Sequence, residues 1–161
     1  MLIYEISRSF AEKNIKYAIV GGYALAFHQI IRATVDIDLV LKLDLECFEK
    51  AEAALNSIGL QSRIPVRAKD IIQFRKEYIK SKNLIAWSFV DYKNPLRQVD
   101  ILITTDLKNI AVENISVGGF QIPVISLKGL RDMKQKAARP QDLIDVTMIE
   151  KRMTEIKNEK K

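Results

Sequence analysis

Residues 21–41 read GGYALAFHQIIRATVDIDLVL, and the rest of the chain can be organised around this stretch. The apolar residues before it, Tyr17–Val20, are typical of a short buried strand. Gly21 and Gly22 then end that strand where the backbone must turn sharply or approach another group closely. We predict a helix from about Tyr23 to Ile30, with its free N-terminal amides facing an anion-sized gap at the glycines.

Two carboxylates follow in the second half of the stretch. Apolar residues alternate with Asp36 and Asp38 across Val35–Leu41, so a strand there would place both carboxylates on one face, with their Cα atoms about 6–7 Å apart. Like charges this close favour a bound cation, and their oxygen ligands suit a hard divalent ion, Mg²⁺ or Mn²⁺. Such an ion would also bind the phosphates of a nucleoside triphosphate. The alternative is an ordinary strand with its polar face in water.

A third candidate carboxylate is Asp100, which lies inside the apolar run Val99–Ile103. A charged residue in such a run is rarely buried unless it is paired or binds a metal. We therefore predict that Asp100 joins Asp36 and Asp38 at one site.

The glycine pair after a strand, the Asp-x-Asp strand and the later acidic strand together resemble the nucleotidyltransferase superfamily, which has a DNA polymerase beta-like fold. The resemblance implies an α/β fold with a mixed sheet, flanking helices and C-terminal helices. It also implies transfer of a nucleoside monophosphate from a nucleoside triphosphate to an acceptor. In that reaction Asp36, Asp38 and Asp100 would hold the metal, while Gly21 and Gly22 would receive phosphates.

The C-terminal part resembles one branch of the superfamily, which contains abortive-infection toxins of the AbiEii type and related uncharacterised domains. Lys134 there precedes the run RPQDLIDV at residues 139–146. The resemblance implies that Lys134 and Asp142 join the active site and that Arg139 lies beside the nucleotide. The alternative is that Lys134 and Arg139 pair with Asp142 and Asp145 on an exposed surface.

Three further residues of the opening stretch are candidate nucleotide contacts. Tyr23 stands where relatives often carry Ser or Thr, so a short hydroxyl that could bind phosphate is missing. Arg32 and Thr34 form an Arg-x-Thr sequence ahead of the aspartates, which the same branch often has. We predict that these two side chains contact phosphate or nucleobase.

The resemblance also bears on partners. Acceptors in this branch include tRNA ends and protein side chains, and membership would imply a toxin-antitoxin system with a cognate protein partner. A catalytically silent nucleotidyltransferase-fold partner or antitoxin-like module is the main alternative, although the retained carboxylates argue against it. A basic RNA-binding protein without nucleotide chemistry is a third interpretation, and it depends on charge alone.

Composition limits the remaining possibilities. The 161 residues are 48% hydrophobic, which favours one domain, predicted at residues 1–150, followed by a frayed basic tail at 151–161. No basic leader and no apolar stretch of bilayer-spanning length occurs, so we expect a cytoplasmic protein without membrane contact. The net charge is +6, and segment 61–82 carries a surplus of positive charge that could meet RNA or triphosphate, or simply be a solvated helix face.

Local patterns predict the remaining elements. The only histidine, His28, and the only tryptophan, Trp87, are each expected to be structural rather than catalytic. The expected elements are a first helix to near Asn14, a helix capped by Asp44 that ends at Gly59, a basic helix over 70–81, strands 84–90 and 97–104 joined by a turn at Asn94-Pro95, a hairpin at Gly118-Gly119, and helices from Ser126 and Pro140.

Overall fold

The computed structural model describes residues 1–161 and confirms the predicted α/β architecture. The helices are α1 (Leu2–Glu12), α2 (Gly21–Phe27), α3 (Leu45–Ser57), α4 (Ala68–Gln73), α5 (Arg75–Lys82), α6 (Leu127–Ala137) and α7 (Pro140–Glu159). The strands are β1 (Tyr17–Val20), β2 (Ile37–Leu41), β3 (Gln61–Ser62), β4 (Ala86–Asp91), β5 (Asn94–Leu102), β6 (Val112–Val117) and β7 (Phe120–Ile125). No helix combines the length and apolar character needed to cross a membrane.

All strands belong to one mixed sheet of seven strands in the order β3-β4-β5-β2-β1-β7-β6. Strand β2 pairs antiparallel with β1 and parallel with β5, while β1 pairs parallel with β7. The two strands that carry the predicted carboxylates, β2 and β5, are therefore neighbours in the centre of the sheet. Their common direction places Asp38 directly opposite Asp100.

The two faces of the sheet differ sharply in polarity at its centre. One row of register partners is fully buried and apolar: Ile19, Leu39, Ile101 and Trp87. The next row along the strands faces the other side, because successive residues of a strand alternate between faces. That row consists of Val20, Asp38, Asp100 and Ser88. Phe48 of α3 stacks on Trp87, which is a core residue as predicted.

Several helix and turn predictions are confirmed. The Asp44 carboxylate caps α3 by accepting a hydrogen bond from the Cys47 amide at 2.8 Å. The Ser126 hydroxyl caps α6 through the Gly129 amide at 3.1 Å. Strands β6 and β7 form the expected hairpin, with both turn glycines at positive φ. Side-chain capping and glycine turns are local signals, so the sequence alone carries them.

The opening stretch differs from its prediction at three boundaries. Helix α2 begins at Gly21 and ends at Phe27, so it is shorter than expected and starts two residues earlier. Strand β2 begins only at Ile37, which leaves Asp36 just ahead of the strand rather than inside it. The chain reverses at Gln29, whose φ is +66°, so α2 cannot continue to Ile30.

The predicted basic helix over 70–81 is in fact two helices. The chain bends at Phe74, which ends α4 and precedes α5. Arg75 then turns toward the sheet, where its Nε donates to the Ile103 carbonyl at 2.5 Å. This tertiary contact fixes the bend, and nothing in the local helical pattern indicates it.

The turn between β4 and β5 is also tighter than predicted. Asp91 pairs with Asn94, so the turn is Tyr92-Lys93, and Pro95 lies inside β5. The register shifts between Val90 and Asp91, which leaves Pro95 without a partner on β4. A proline has no amide to donate, so an unpaired position at a bulge tolerates it.

The C-terminal residues are helical rather than frayed, because α7 runs to Glu159. Met153 and Ile156 pack against the core, and Arg152 donates to the His28 carbonyl at 3.3 Å. His28 itself is buried, with Nε2 2.7 Å from the Ile125 carbonyl oxygen. It is a structural histidine, as predicted.

Candidate active site

The three predicted carboxylates lie together on the polar face of the sheet. Asp38 and Asp100 are register partners, and Asp36 precedes Asp38 at the start of β2. All three are half-buried. Burial raises the pKa of Asp36, and the negative charge of Asp100 and a hydrogen bond with it raise that pKa further. We refer to Asp36, Asp38 and Asp100 as the carboxylate row.

Asp38 is the most perturbed member of the carboxylate row. Its pKa is raised from the ordinary 3.8 to about 7, first by burial and then by the negative charges of Asp100 and Asp36. Lys134 and Arg139 lower the same pKa without cancelling the rise. The row is thus a concentration of negative charge that the chain leaves incompletely neutralised.

The glycine turn presses directly against the row. A Cβ at Gly21 would collide with the Asp38 carboxylate, and the residue has a φ of +67° that favours glycine. A Cβ at Gly22 would lie 2.7 Å from the Thr34 side chain. Both glycines are therefore needed to bring the end of β1 against Asp38 and Thr34.

The carboxylate row could supply only part of the coordination shell of a divalent cation. No group of three or more His, Cys, Asp or Glu side chains is arranged to hold a metal ion by itself. Mg²⁺, however, commonly takes one or two carboxylates and completes its shell with water and substrate phosphates. Oxygen donors with uncompensated charge fit such an ion.

A second group of charges lies on the C-terminal helices and the segment before β2. Arg32 pairs with Asp145 at 2.5 Å, Lys134 Nζ lies 2.8 Å from the same carboxylate, and Arg139 Nε lies 2.6 Å from Asp142. Lys134 also reaches Asp142, at 3.5 Å. We call these five residues the ion-pair cluster. Its two aspartates are buried, with 2% of Asp142 and 0% of Asp145 exposed.

The cluster has features of both interpretations of the C-terminal residues, a place at the active site and pairing among themselves. Lys134 and Arg139 do pair with the aspartates. Both aspartates and Lys134 are buried, whereas the Arg139 side chain is 74% exposed. Burial alone would raise the pKa of each aspartate, yet hydrogen bonds from the cations hold the pKa of Asp142 and Asp145 below the ordinary value. The positive charge of Lys134 and Arg139 also acts on Asp38, so the cluster lies beside the carboxylate row.

The predicted nucleotide contacts are engaged within the chain. Arg32 is bound to Asp145, and Tyr23 packs against the hydrophobic core. Thr34 lies under Gly22, and its hydroxyl donates to the Asp36 carbonyl at 3.4 Å. These contacts position the segment between α2 and β2, so their roles toward a nucleotide stay predictions.

Two residues next to the row were not predicted as site residues. Ser88 of β4 is the register partner of Asp100, and the Arg63 amide donates to the Ser88 carbonyl at 2.9 Å. Arg63 is exposed, and its charge lowers the pKa of Asp36. The signal for Ser88 was a lone hydroxyl between Trp87 and Phe89, but only the strand pairing links it to Asp100.

The basic segment 61–82 is partly satisfied within the chain. Arg67 pairs with Glu52 at 3.1 Å, and Arg75 is bound to the Ile103 carbonyl. Helix α5 buries none of its residues. The exposed cations of the segment that have no carboxylate partner are Arg63, Lys69, Lys76, Lys80 and Lys82.

Comparisons with known proteins agree on the fold. No protein-family model matches the chain, and no curated protein matches it by sequence. Among solved structures, ANT(2″)-Ia in complex with adenylyl-2″-tobramycin superposes with a TM-score of 0.62 at 16% identity, over 99% of this chain and 90% of that one. A candidate nucleotidyltransferase from Thermotoga maritima gives a TM-score of 0.60 at 14% identity, over 95% and 91% of the two chains.

A nucleotidyltransferase-like antigen from Paracoccidioides brasiliensis is also similar, with a TM-score of 0.56 and 16% identity over 92% of this chain and 74% of that one. These similarities extend along nearly the whole chain, although the sequences have diverged. They show that the chain has the nucleotidyltransferase fold.

Proposed function

We propose that the protein is a metal-dependent nucleotidyltransferase, which moves a nucleoside monophosphate from a nucleoside triphosphate to an acceptor and releases pyrophosphate. The observation that carries this proposal is the carboxylate row, whose charge is incompletely neutralised and which lies against a glycine turn. A purely structural site would have no reason to keep three carboxylates together at the cost of mutual repulsion.

Each residue of the site has a proposed role. Asp36 and Asp38 would hold Mg²⁺ or Mn²⁺, which when bound supplies positive charge to the triphosphate oxygens. Gly21 and Gly22 would bind the phosphates beside Asp38, against which the glycine turn lies. Asp100 would accept the proton of the acceptor hydroxyl or complete a second metal site.

The chemical step needs positioning rather than a protein nucleophile. A bond forms between the acceptor oxygen and the α-phosphorus while the bond from that phosphorus to the pyrophosphate oxygen breaks. Lys134 and Arg139, whose charge already reaches Asp38, would offset the charge of the departing pyrophosphate. Asp142 holds both cations in place, so it acts as a positioning residue.

The resemblance of the C-terminal segment to abortive-infection toxins extends this proposal to a toxin-antitoxin system. The acceptor would be a tRNA end or a protein side chain, and a cognate protein would regulate the enzyme.

Labelled nucleotides test the activity directly. The protein would be incubated with each labelled nucleoside triphosphate, Mg²⁺ and either total tRNA or lysate protein. We expect label on one acceptor class, and no label with the Asp36→Asn/Asp38→Asn variant. Asp132→Asn is a matched control, because it removes an exposed carboxylate of α6 outside the row. Nucleotide binding without transfer to any acceptor would instead support the silent binding module.

A further inference from the structure

The carboxylate row has two unlike flanks along the sheet. The glycine turn lies on the β1 side, and the charges of Lys134 and Arg139 act on Asp38, the carboxylate of the row whose strand pairs with β1. On the β4 side lie Ser88 and, one strand further, Arg63. Adjacent strands are about 4.8 Å apart, so the Arg63 backbone lies two spacings, about 10 Å, beyond Asp100.

The side chain of Arg63 faces the same side of the sheet as the row. Its neighbour Ser62 points to the core face, where its hydroxyl accepts a hydrogen bond from Trp87 Nε1 at 2.9 Å. Successive residues of an extended chain alternate between faces, so Arg63 follows Ser88 and Asp100 onto the polar face. Unlike Arg67, which pairs with Glu52, Arg63 has no carboxylate partner of its own.

The in-line geometry of phosphoryl transfer assigns the two flanks different roles. The attacking and leaving oxygens lie on opposite sides of the transferred phosphorus. If pyrophosphate leaves toward the glycine turn and Lys134, the acceptor must approach from the side of Asp100 and Ser88. This assignment rests on the proposed function.

We infer that Arg63 and Ser88 form an acceptor subsite that binds a phosphate group next to the accepting hydroxyl. A guanidinium and a hydroxyl on one face together provide donors that suit phosphate oxygens. An RNA strand and a phosphorylated sugar present the same phosphate oxygens, so both serve as probes of the subsite.

Binding to defined probes tests the subsite. A fluorescent single-stranded RNA octamer and the competitors ribose 5-phosphate and ribose would be measured on the wild-type protein and on Arg63→Gln. We expect Arg63→Gln to weaken RNA binding about tenfold, as for loss of a charge-assisted hydrogen bond. Binding of a non-hydrolysable ATP analogue with Mn²⁺ should change less than twofold. Lys82→Gln is the matched control, since it removes an exposed charge at the far end of the segment and should change RNA binding less than Arg63→Gln.

The competitors separate the possible sources of the phosphate. If ribose 5-phosphate competes and ribose does not, a single phosphate suffices; if only RNA responds to Arg63→Gln, the strand itself is recognised. Either result supports the subsite. Equal loss in Arg63→Gln and Lys82→Gln, or competition by a glutamate-rich peptide alone, overturns it. Failure of the wild-type protein to bind the ATP analogue would instead count against the proposed function, whatever Arg63 does.

Discussion

The carboxylate row and the ion-pair cluster lie side by side but differ in whether their carboxylates are paired with cations. The cluster holds two aspartates against three cations, and every member has a partner within 3.5 Å. The row holds three carboxylates and no cation of its own. Accordingly, the pKa of Asp145 is lowered, whereas that of Asp38 is raised to about 7.

This difference shows how each group relates to folding. A paired, buried carboxylate holds its surroundings together, because removing it leaves cations without compensation. A crowded, unpaired carboxylate destabilises the folded chain until a ligand neutralises it. The two groups should therefore respond in opposite directions to the same kind of substitution, which the following changes test in order of decreasing effect.

The largest loss of stability is expected from Asp145→Asn. The change leaves Arg32 and Lys134 without their common partner, and breaking such a buried pair costs about 3–5 kcal/mol of unfolding free energy. Urea denaturation measures the change. Asp132→Asn on the exposed side of α6 is the control, with an expected change under about 0.5 kcal/mol. Equal effects of the two substitutions would mean that the cluster does not hold the helices in place.

Asp38→Asn should raise the stability of the metal-free protein. The pKa of Asp38 is about 7 in the folded chain against an ordinary 3.8, so the folded state binds the extra proton between these values. Stability from this group is therefore full below pH 4 and is lost as pH rises through 7, by at most about 4 kcal/mol. Asp38→Asn lacks this loss, so its advantage over the wild type should grow with pH.

Denaturation of both proteins at pH 4, 5.5, 7 and 8 measures that advantage. Adding Mg²⁺ with an ATP analogue should shrink it, because the ligand neutralises the wild-type carboxylate. A constant difference across this pH range would show that the pKa of Asp38 is not raised in the folded chain.

Substitution by alanine should have different effects at two glycines of similar backbone conformation, and this difference should be smaller than the effects above. Gly21 has φ +67° and faces Asp38, whereas Gly119 has φ +80° and open space where a Cβ would lie, with no atom within 4 Å. Alanine at either position carries the positive-φ cost of about 1–2 kcal/mol. Only Gly21→Ala should also displace Asp38 and weaken metal-dependent nucleotide binding. Matching nucleotide affinities in the two variants would remove the glycine turn from the site.

The sequence predicted those parts of the molecule that depend on local signals. The glycine pair, the Asp-x-Asp pattern and the apolar run around Asp100 indicated two strands whose pairing brings Asp38 opposite Asp100. The caps at Asp44 and Ser126 likewise involve residues three positions apart. Short-range hydrogen bonds can be predicted from the sequence because both partners lie close together in it.

The missed charge contacts depend on interactions between distant segments. Arg32 binds Asp145 across 113 positions of the chain, and Arg75 bends its helix toward Ile103. Arg63 comes near the row only because β3 pairs with β4, which in turn pairs with β5. None of these partners can be read from local periodicity, so charge patterns alone left the basic segment and the ion-pair cluster ambiguous.

Titration with Mn²⁺ and a non-hydrolysable ATP analogue tests the central claim most directly. The wild-type protein should bind the nucleotide only when the metal is present. The folded Asp36→Asn/Asp38→Asn variant should lose this metal-dependent binding while keeping or gaining thermal stability. Equal nucleotide binding by the wild type and the double variant would contradict the account, because the carboxylate row would then have no part in holding metal and substrate.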